Sequence, residues 1–316
     1  MKISEVAKEG EKLQMKVKKN LKKLIPIAMA AFLFTGCASA AKQDTKGKEE
    51  AKHKVIREKP AKEEVSLIDG TGKTLEGRIK VPKGYKRTAE KKGSLGDFLR
   101  KYKVMPDNSP ILLYDGREKD NDDAACVFRM HLGDKDLQQC ADSVIRVYAE
   151  YMRKSGRQDQ IAFHFVNGFT CDWNSYRSGK RIAVNGNRVG WRVAKPASDS
   201  QETFEGYLET VFNYASTLSL EKESRPVRAK DIRIGDIFIK GGSPGHVVMV
   251  VDTCEKNGKR AFLLAQGYMP AQQFHVLRND AHREDPWYYQ EEVVYPFRTP
   301  EFTFYDKCLR RPEYLL

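Results

Sequence analysis

The sequence lacks several features that would point directly to a function, and each absence excludes a class of protein. The apolar run at residues 24–34 is too short to cross a bilayer as a helix. The histidines show no zinc-ligand spacing, and the acidic segment DGREKDNDD lacks the Gly and Glu positions of an EF-hand. No internal repeat is visible. The sequence therefore predicts neither a metal nor another cofactor.

Nucleic-acid binding is also disfavoured, although the net charge is +13. Residues 1–64 hold 16 Lys and Arg against 9 Asp and Glu, so +7 of that charge lies at the start of the chain. No Arg-rich helix, RNP-like aromatic pair or zinc-finger spacing accompanies the basic residues. The positive charge belongs mostly to an N-terminal segment that has another explanation.

That segment, residues 1–36, is interpreted as an upstream extension followed by an export signal. From Met15 a Lys-rich stretch precedes the apolar run and small residues follow it, as in secretory signal peptides. The letters LFTGC resemble a bacterial lipoprotein box, which implies that Cys37 is lipidated; an ordinary cleaved signal with a chance Cys is the alternative. Membrane lipid is thus an expected partner, and the expected location is the cell envelope, lipid-anchored in the outer membrane.

The rest of the chain divides into a tether and one folded domain. Residues 37–64 are rich in Lys, Glu and Ala and cannot bury a core, so they predict a charged, solvated tether. Residues 65–316 are long enough for a single domain. Short strands are predicted over 65–135, helices from Asp136 and across 201–216, and strands in the C-terminal part. This order predicts an α+β fold with an antiparallel sheet.

Two residues have the types and positions that nucleophilic catalysis requires. Asp136 is the predicted N-cap of the first long helix, with Gln139 completing a capping box. Cys140 then lies in the first turn, where unpaired N–H groups and the helix dipole favour a thiolate. His246 opens the apolar strand HVVMVVD. A helix-start Cys beside a strand-borne His would provide a nucleophile and its general base.

Gln266, at the end of the strand FLLAQ, is the candidate to orient the imidazole, and its position depends on hairpin register. A two-residue Asn257-Gly258 turn would pair Lys256 with Lys259 and put Gln266 on the opposite face from His246. A three-residue loop that includes Lys256 would put both side chains on one face. The sequence analysis favours the three-residue loop, because glycine suits its last position.

The segment from Gly235 to Asp252 resembles the histidine half of papain-like, NlpC-type cell-wall endopeptidases and amidases. That resemblance implies a papain-like core with an antiparallel sheet on the Cys-bearing helix, and the catalytic order of Cys140, His246 and Gln266. A closer resemblance is to an uncharacterised domain-of-unknown-function family of Bacteroidetes lipoproteins. Three segments carry it: DLQQCADSVIRVYAEY, GGSPGHVVMVVD and LLAQGYMPAQQFHVL. This resemblance spans most of residues 75–310. The predicted fold is thus the papain-like core with a strand-rich elaboration on its N-terminal side. Unlike the usual Asp-Cys-Ser-Gly of the hydrolases, the chain has Gln-Cys-Ala-Asp, without the small pair that lets the helix approach the sheet.

Supporting roles are assigned by position. Gln139, slightly preferred over Gln138, is the candidate to stabilise an oxyanion alongside the Cys140 backbone N–H. Tyr268 and Trp173 fall in predicted loops near the site and are expected to line a substrate groove. With Cys140, the domain has five cysteines, so an exported chain cannot pair them all.

The sequence thus predicts a membrane-anchored cysteine hydrolase of amide bonds in the cell envelope, with peptidoglycan as the expected substrate. The alternative is a non-catalytic envelope lipoprotein that uses the same fold to bind glycan or protein. The changed residues around Cys140 favour this alternative, whereas the order of the three site residues favours the enzyme.

Overall fold

A computed structural model describes residues 66–120, 124–186, 188–282 and 284–315. The predicted signal peptide, the lipidation site Cys37 and the predicted tether lie outside these residues. The described residues of 66–183 and 189–315 form one compact unit. Within the described ranges, no helix combines the length and apolarity needed to span a membrane.

The helices and strands are numbered in chain order. The helices are α1 (Leu75–Arg78), α2 (Leu95–Arg100), α3 (Cys140–Lys154), α4 (Trp173–Arg177), α5 (Gln201–Tyr214) and α6 (Thr217–Lys222). The strands are β1 (Lys86–Arg87), β2 (Ala124–Val127), β3 (Ala162–His164), β4 (Thr170–Asp172), β5 (Lys180–Asn185), β6 (Arg188–Val193), β7 (Ser224–Pro226), β8 (Ile237–Lys240), β9 (His246–Lys256), β10 (Lys259–Gln266), β11 (His275–Leu277), β12 (Tyr288–Tyr289), β13 (Phe297–Thr299), β14 (Phe302–Phe304) and β15 (Leu309–Pro312).

An antiparallel sheet organises the fold, and the predicted α+β class with antiparallel pairing is confirmed. In the described part of the chain its order is β2-β11-β10-β9-β8-β15-β7, with β1 also paired to β9 and β12 to β10. The predicted second helix is α5. Both β9 and β10 lie in the interior of the sheet, which accounts for their long apolar runs.

The central strands are buried on both faces. On one face Val247 and Met249 belong to the main core with Val144 and Tyr148 of α3. On the other face a second apolar cluster covers the alternate residues of β8, β9 and β10 with β13, β14 and the start of β15. The apolar strand after His246 is therefore continuous because neither of its faces meets water.

The N-terminal part of the domain is less strand-rich than predicted. Residues 66–120 contain α1, α2 and the two-residue strand β1, and the segment ILLYDG, in the region where short strands are predicted, makes only isolated bridges. The helices form because Thr74 and Ser94 are N-caps: Thr74 Oγ1 accepts the Gly77 N–H at 3.3 Å, and Ser94 Oγ accepts the Asp97 N–H at 3.2 Å. These short polar caps were the signals that the strand interpretation overlooked.

The turn between β9 and β10 differs from the predicted three-residue loop. Lys256 pairs with Lys259 across a two-residue turn, in which Asn257 has φ 51° and Gly258 has φ 76°. Positive φ at both central residues is the geometry of a type I′ turn, whose twist matches that of the flanking strands. The three-residue loop was therefore the wrong choice, because Asn-Gly satisfies the tighter turn.

Candidate active site

Cys140 is the first residue of α3, so the helix begins four residues later than the predicted cap at Asp136. Gln139 is the N-cap residue, and its backbone N–H donates to Asp142 Oδ2 at 3.1 Å. Asp136 instead joins two segments outside the helix, because its Oδ1 accepts the Ala271 N–H at 2.7 Å and the Gln139 Nε2–H at 3.0 Å. The acidic side chain that completes the cap is thus Asp142, inside the first turn.

Gly267 lets α3 approach the sheet closely. A Cβ atom at this position would lie 2.3 Å from Ser143 Oγ and 3.1 Å from the Gln139 carbonyl oxygen. In the NlpC-type enzymes a small Ser-Gly pair on the helix allows this approach, and the present helix lacks that pair. The structure supplies the small residue from the sheet side, directly after β10.

His246 is the first residue of β9 and is 2% exposed. The preceding Gly245 is tightly enclosed, since a Cβ there would lie 2.2 Å from the Gly242 carbonyl oxygen. The backbone N–H of Val247, the residue after the histidine, lowers the pKa of the Cys140 thiol. The sulfur therefore lies near the backbone segment that carries the imidazole.

Cys140 and His246 line one cavity of about 480 Å³. Its walls come from the start of α3 and the residues before it, the end of α5, the start of α6, the loops before β9 and after β10, and the first residue of β14. The lining residues are Asp136, Leu137, Gln139, Cys140, Ala141, Asp142, Phe212, Ala215, Ser216, Thr217, Gly242, Ser243, Pro244, Gly245, His246, Tyr268, Met269 and Phe302. No Lys or Arg occurs among these described residues, so the cavity suits a neutral or positively charged ligand.

Gln266 contacts His246 despite the two-residue turn. The pairing register shifts between Leu263 and Leu264: Leu263 pairs with Asp252, whereas Leu264 pairs with Val250. The extra residue is a β-bulge in β9, which moves the end of β10 by one position. As a result, Gln266 Oε1 lies 2.7 Å from His246 Nε2. The sequence analysis expected this contact but attributed the register to the loop.

The other side of the Gln266 amide faces an ion pair that the sequence analysis did not identify. Gln266 Nε2 donates to Glu301 Oε2, and the same carboxylate oxygen lies 2.6 Å from Lys119 Nζ. Glu301 lies in the turn between β13 and β14, and Lys119 in the loop before β2. The alternating segment FRTPEFTF is a hairpin signal that could have located Glu301, but nothing local points to Lys119.

Two aromatic rings of the cavity wall pack against the imidazole. The ring centroid of His246 lies 4.8 Å from that of Tyr268 and 5.1 Å from that of Phe302. Tyr268, predicted for the groove, therefore lines the cavity. Phe302 was not predicted, because an aromatic residue in a strand is ordinarily assigned to the core.

Burial keeps the two reactive groups neutral. It raises the pKa of Cys140 to about 12, and the charge of Asp142 adds to that rise. Hydrogen bonds from the Ala141 and Val247 N–H groups act in the opposite direction. Burial also lowers the pKa of His246 to about 4. At neutral pH the site therefore holds a thiol and a neutral imidazole rather than a thiolate–imidazolium pair.

Asp142 is the other buried acid in the cavity wall. Its side chain is 7% exposed, and burial raises its pKa to about 8. Within the described residues its Oδ1 has no hydrogen-bond partner. The carboxyl group is therefore largely protonated at neutral pH.

Two of the predicted supporting residues have other partners. Trp173 is fully buried at the start of α4, where its ring packs against Phe204 and Tyr207 with centroid distances of 5.4 Å each. It does not line the cavity, because the predicted loop is a helix that turns this ring into the core. Gln139 lines the cavity, but its Nε2 is bound to Asp136 and would have to rotate to reach an oxyanion.

Gln138, the other oxyanion candidate, is 1% exposed and donates from Nε2 to the His131 carbonyl oxygen at 3.0 Å. It is therefore held as a structural residue before α3.

Among the described residues, no three His, Cys, Asp or Glu side chains are grouped so that they could hold a metal ion. The five cysteines of the described domain are all free.

The match to a known family covers most of the domain. Residues 75–311 match the family described as domain of unknown function (4846). The chain belongs to this family. No curated protein and no solved structure matches it. All residues that line the cavity fall within the matched segment.

Proposed function

We propose that this protein is a membrane-anchored cysteine hydrolase of amide bonds in the cell envelope. The observation that carries the proposal is that Cys140 and His246 line the same cavity. His246 in turn lies 2.7 Å from Gln266. A nucleophile, a base and an orienting group are the parts that acyl transfer requires.

In the proposed reaction, the imidazole removes the thiol proton as Cys140 sulfur attacks the amide carbonyl carbon. The unpaired backbone N–H groups at the start of α3 stabilise the oxyanion. The imidazolium then gives its proton to the leaving amine, and a thioester forms. Water, deprotonated by His246, releases the acid and restores the thiol. Because both groups are neutral at rest, proton transfer accompanies attack rather than preceding it.

The substrate and location come from sequence resemblance. The order of Cys140, His246 and Gln266 is similar to that of papain-like, NlpC-type cell-wall enzymes, so we propose a papain-like core and peptidoglycan as the substrate. The lipoprotein box at Cys37 supports a lipid anchor and an outer-membrane location. A cavity without basic lining residues is compatible with a neutral amide.

The experiment is incubation of the full chain with purified cell-wall sacculi, followed by mass analysis of released fragments. Cys140→Ala should abolish release and abolish labelling by a thiol-directed active-site probe, because it removes the nucleophile. Cys126→Ala, which removes a buried thiol of β2, is the matched control and should retain both. Equal labelling or release by the Cys140→Ala protein would contradict the proposal.

The second candidate function is a non-catalytic binding protein on the same fold. The raised pKa of Cys140 favours it, because a thiol with a pKa of about 12 is a weak nucleophile at neutral pH. In this case the cavity binds glycan or protein through Tyr268 and Phe302. Cys140→Ala would then bind sacculi as tightly as the wild type in a pull-down, with no fragments released by either protein.

A further inference from the structure

The Gln266 side chain is bound at both ends of its amide. Its Oε1 lies 2.7 Å from His246 Nε2, and its Nε2 donates to Glu301 Oε2. The Glu301 backbone carbonyl oxygen also accepts from the Tyr268 hydroxyl at 3.4 Å. The turn that carries Glu301 is thus attached to two residues that contact the imidazole.

The hydrogen-bonding chemistry of these groups allows one arrangement of protons. An ionised carboxylate can only accept, so the end of the Gln266 amide that faces Glu301 must be the NH₂ group. The carbonyl oxygen then faces His246, and it also can only accept. His246 Nε2 must therefore carry the ring proton, and Nδ1 keeps the lone pair.

We infer that Glu301 is a positioning residue: through Gln266 it makes Nδ1 the proton-accepting nitrogen of His246. This inference deepens the proposed function, since Nδ1 is then the nitrogen that would receive the Cys140 proton. Without Glu301 the Gln266 amide could turn over and present NH₂ to the imidazole. Nε2 would then have to accept, the proton would move to Nδ1, and the base would be lost.

Lys119 completes the arrangement as the ion-pair partner of the carboxylate. The side chains of Lys119 and Glu301 are only 11% and 13% exposed, and an unpaired charge in such surroundings is costly. The two charges have opposite effects on the pKa of His246: Glu301 raises it, whereas Lys119 lowers it. The ion pair can therefore orient the ring without protonating it.

The remaining titratable neighbours do not offer Nε2 a competing acceptor. His275 pairs with Gln266 across β10 and β11, and its Nδ1–H donates to the Gln273 carbonyl oxygen at 3.0 Å. Burial lowers the pKa of His275 to about 4, so it is neutral. Burial raises the pKa of Cys140 to about 12, so its thiol is also protonated at neutral pH.

The test is the tautomer of His246, read from two-bond nitrogen–proton NMR spectra of the full chain labelled with ¹⁵N-histidine. A His246→Gln spectrum assigns the signal. We expect the wild type to hold the Nε2–H tautomer and Glu301→Gln to show a mixture of tautomers, because an amide at 301 can donate as well as accept. The matched control is Glu291→Gln, which breaks an exposed pair with Lys259 (N–O distance 3.2 Å) and should leave the tautomer unchanged.

A second measurement reports how well His246 acts as a base, rather than which tautomer it holds. Alkylation of Cys140 by iodoacetamide at pH 7, quantified by mass, should be about tenfold slower in Glu301→Gln. The reason is that Glu301 orients the base through Gln266, as residues of an outer shell orient the groups that react. Lys119→Met should raise the pKa of His246 and retain the Nε2–H tautomer, since the carboxylate remains.

Several results would overturn the inference. The first is an Nδ1–H tautomer in the wild type, a result that does not depend on any variant folding. The second is an unchanged single tautomer in Glu301→Gln, and the third is loss of the Nε2–H tautomer in Lys119→Met. The outcome is separate from that of the proposed hydrolysis. A protein that releases no fragments but holds the Nε2–H tautomer refutes the hydrolase alone, whereas an active protein with the Nδ1–H tautomer refutes the positioning role alone.

Discussion

At the scale of single residues, Gly267 determines how near the thiol can come to the sheet. A methyl group at this position would lie 2.3 Å from Ser143 Oγ and 3.1 Å from Ser143 Cβ, in the first turn of α3. Ser143 is fully buried, so it has little space into which it can move. The distance between helix and sheet is thus limited by a residue outside the catalytic set.

Gly267→Ala should therefore destabilise the protein by about 1–3 kcal/mol through overpacking, and should reduce labelling of Cys140. The measurement is denaturant unfolding of the full chain, with probe labelling in parallel. Gly190→Ala is the matched control, because a Cβ at Gly190 meets no atom within 4 Å and its φ is ordinary. That variant should change stability by less than about 0.5 kcal/mol. Equal effects of the two substitutions would contradict the close approach.

The residues of the site differ in how far they could be predicted. Cys140 and His246 were identified because local patterns, a helix start and a strand start, mark them. Trp173 was misplaced because the loop assigned to it is a short helix capped by Asp172, whose Oδ1 accepts the Ser175 N–H at 2.7 Å. Glu301 was missed because its role depends entirely on a partner distant in sequence.

At the scale of elements, β9 links the N-terminal part of the domain to the sheet. Asp252, fully buried in this strand, lies 2.7 Å from Arg87 Nε of β1 and 2.8 Å from Arg100 Nε of α2. Arg100 also donates to the Thr88 carbonyl oxygen at 2.8 Å. One carboxylate thus holds a strand and a helix that are distant from it in sequence.

Asp252→Asn should destabilise the protein by about 3–5 kcal/mol, because it leaves two largely buried guanidinium groups without a counter-charge. The control is Asp159→Asn, whose partner is Arg177 and whose side chain is 73% exposed. That change should amount to less than about 1 kcal/mol. Denaturant unfolding of both proteins at the same pH measures the difference. A loss at Asp252 no larger than at Asp159 would show that the buried ion pairs do not hold these elements.

The bulge in β9 shows why an element-level prediction can reach the right contact by the wrong route. The turn residues Asn257 and Gly258 are local signals for a two-residue turn, and that is what forms. Alone, this turn would have placed Gln266 on the other face. The bulge that restores the contact has no local signature in VVMVVD, which contains no Gly.

At the scale of the whole molecule, three buried groups of the site region give the stability a pH optimum. Burial lowers the pKa of His246 and His275 from 6.5 to about 4, so the unfolded chain binds more protons and stability falls as the pH drops below 6.5. Burial raises the pKa of Asp142 from 3.8 to about 8. The folded chain then keeps a proton that the unfolded chain releases, so stability falls as the pH rises towards 8.

We therefore expect the free energy of unfolding to decline by about 1 kcal/mol per pH unit between pH 6.5 and 8. Asp142→Asn should remove this decline, because an amide does not titrate. Asp134→Asn, at an exposed position just before α3, is the control and should keep it. Denaturant unfolding at several pH values measures the slope. A decline that persists unchanged in Asp142→Asn would contradict the assignment to this carboxyl group.

The sequence by itself determined the α+β class, a helix with Cys140 in its first turn, the strand that starts at His246 and membership of a family with a shared domain. These features depend on local patterns of capping, periodicity and apolar runs, which are written in neighbouring residues. Only the tertiary structure decided that Gln266 reaches His246 through a bulge and that Gly267 lets α3 approach the sheet. It also decided that the ion pair of Glu301 and Lys119 lies next to Gln266. Those contacts join segments far apart in the chain, and such pairings are set by the packing of the whole sheet rather than by any short stretch of sequence.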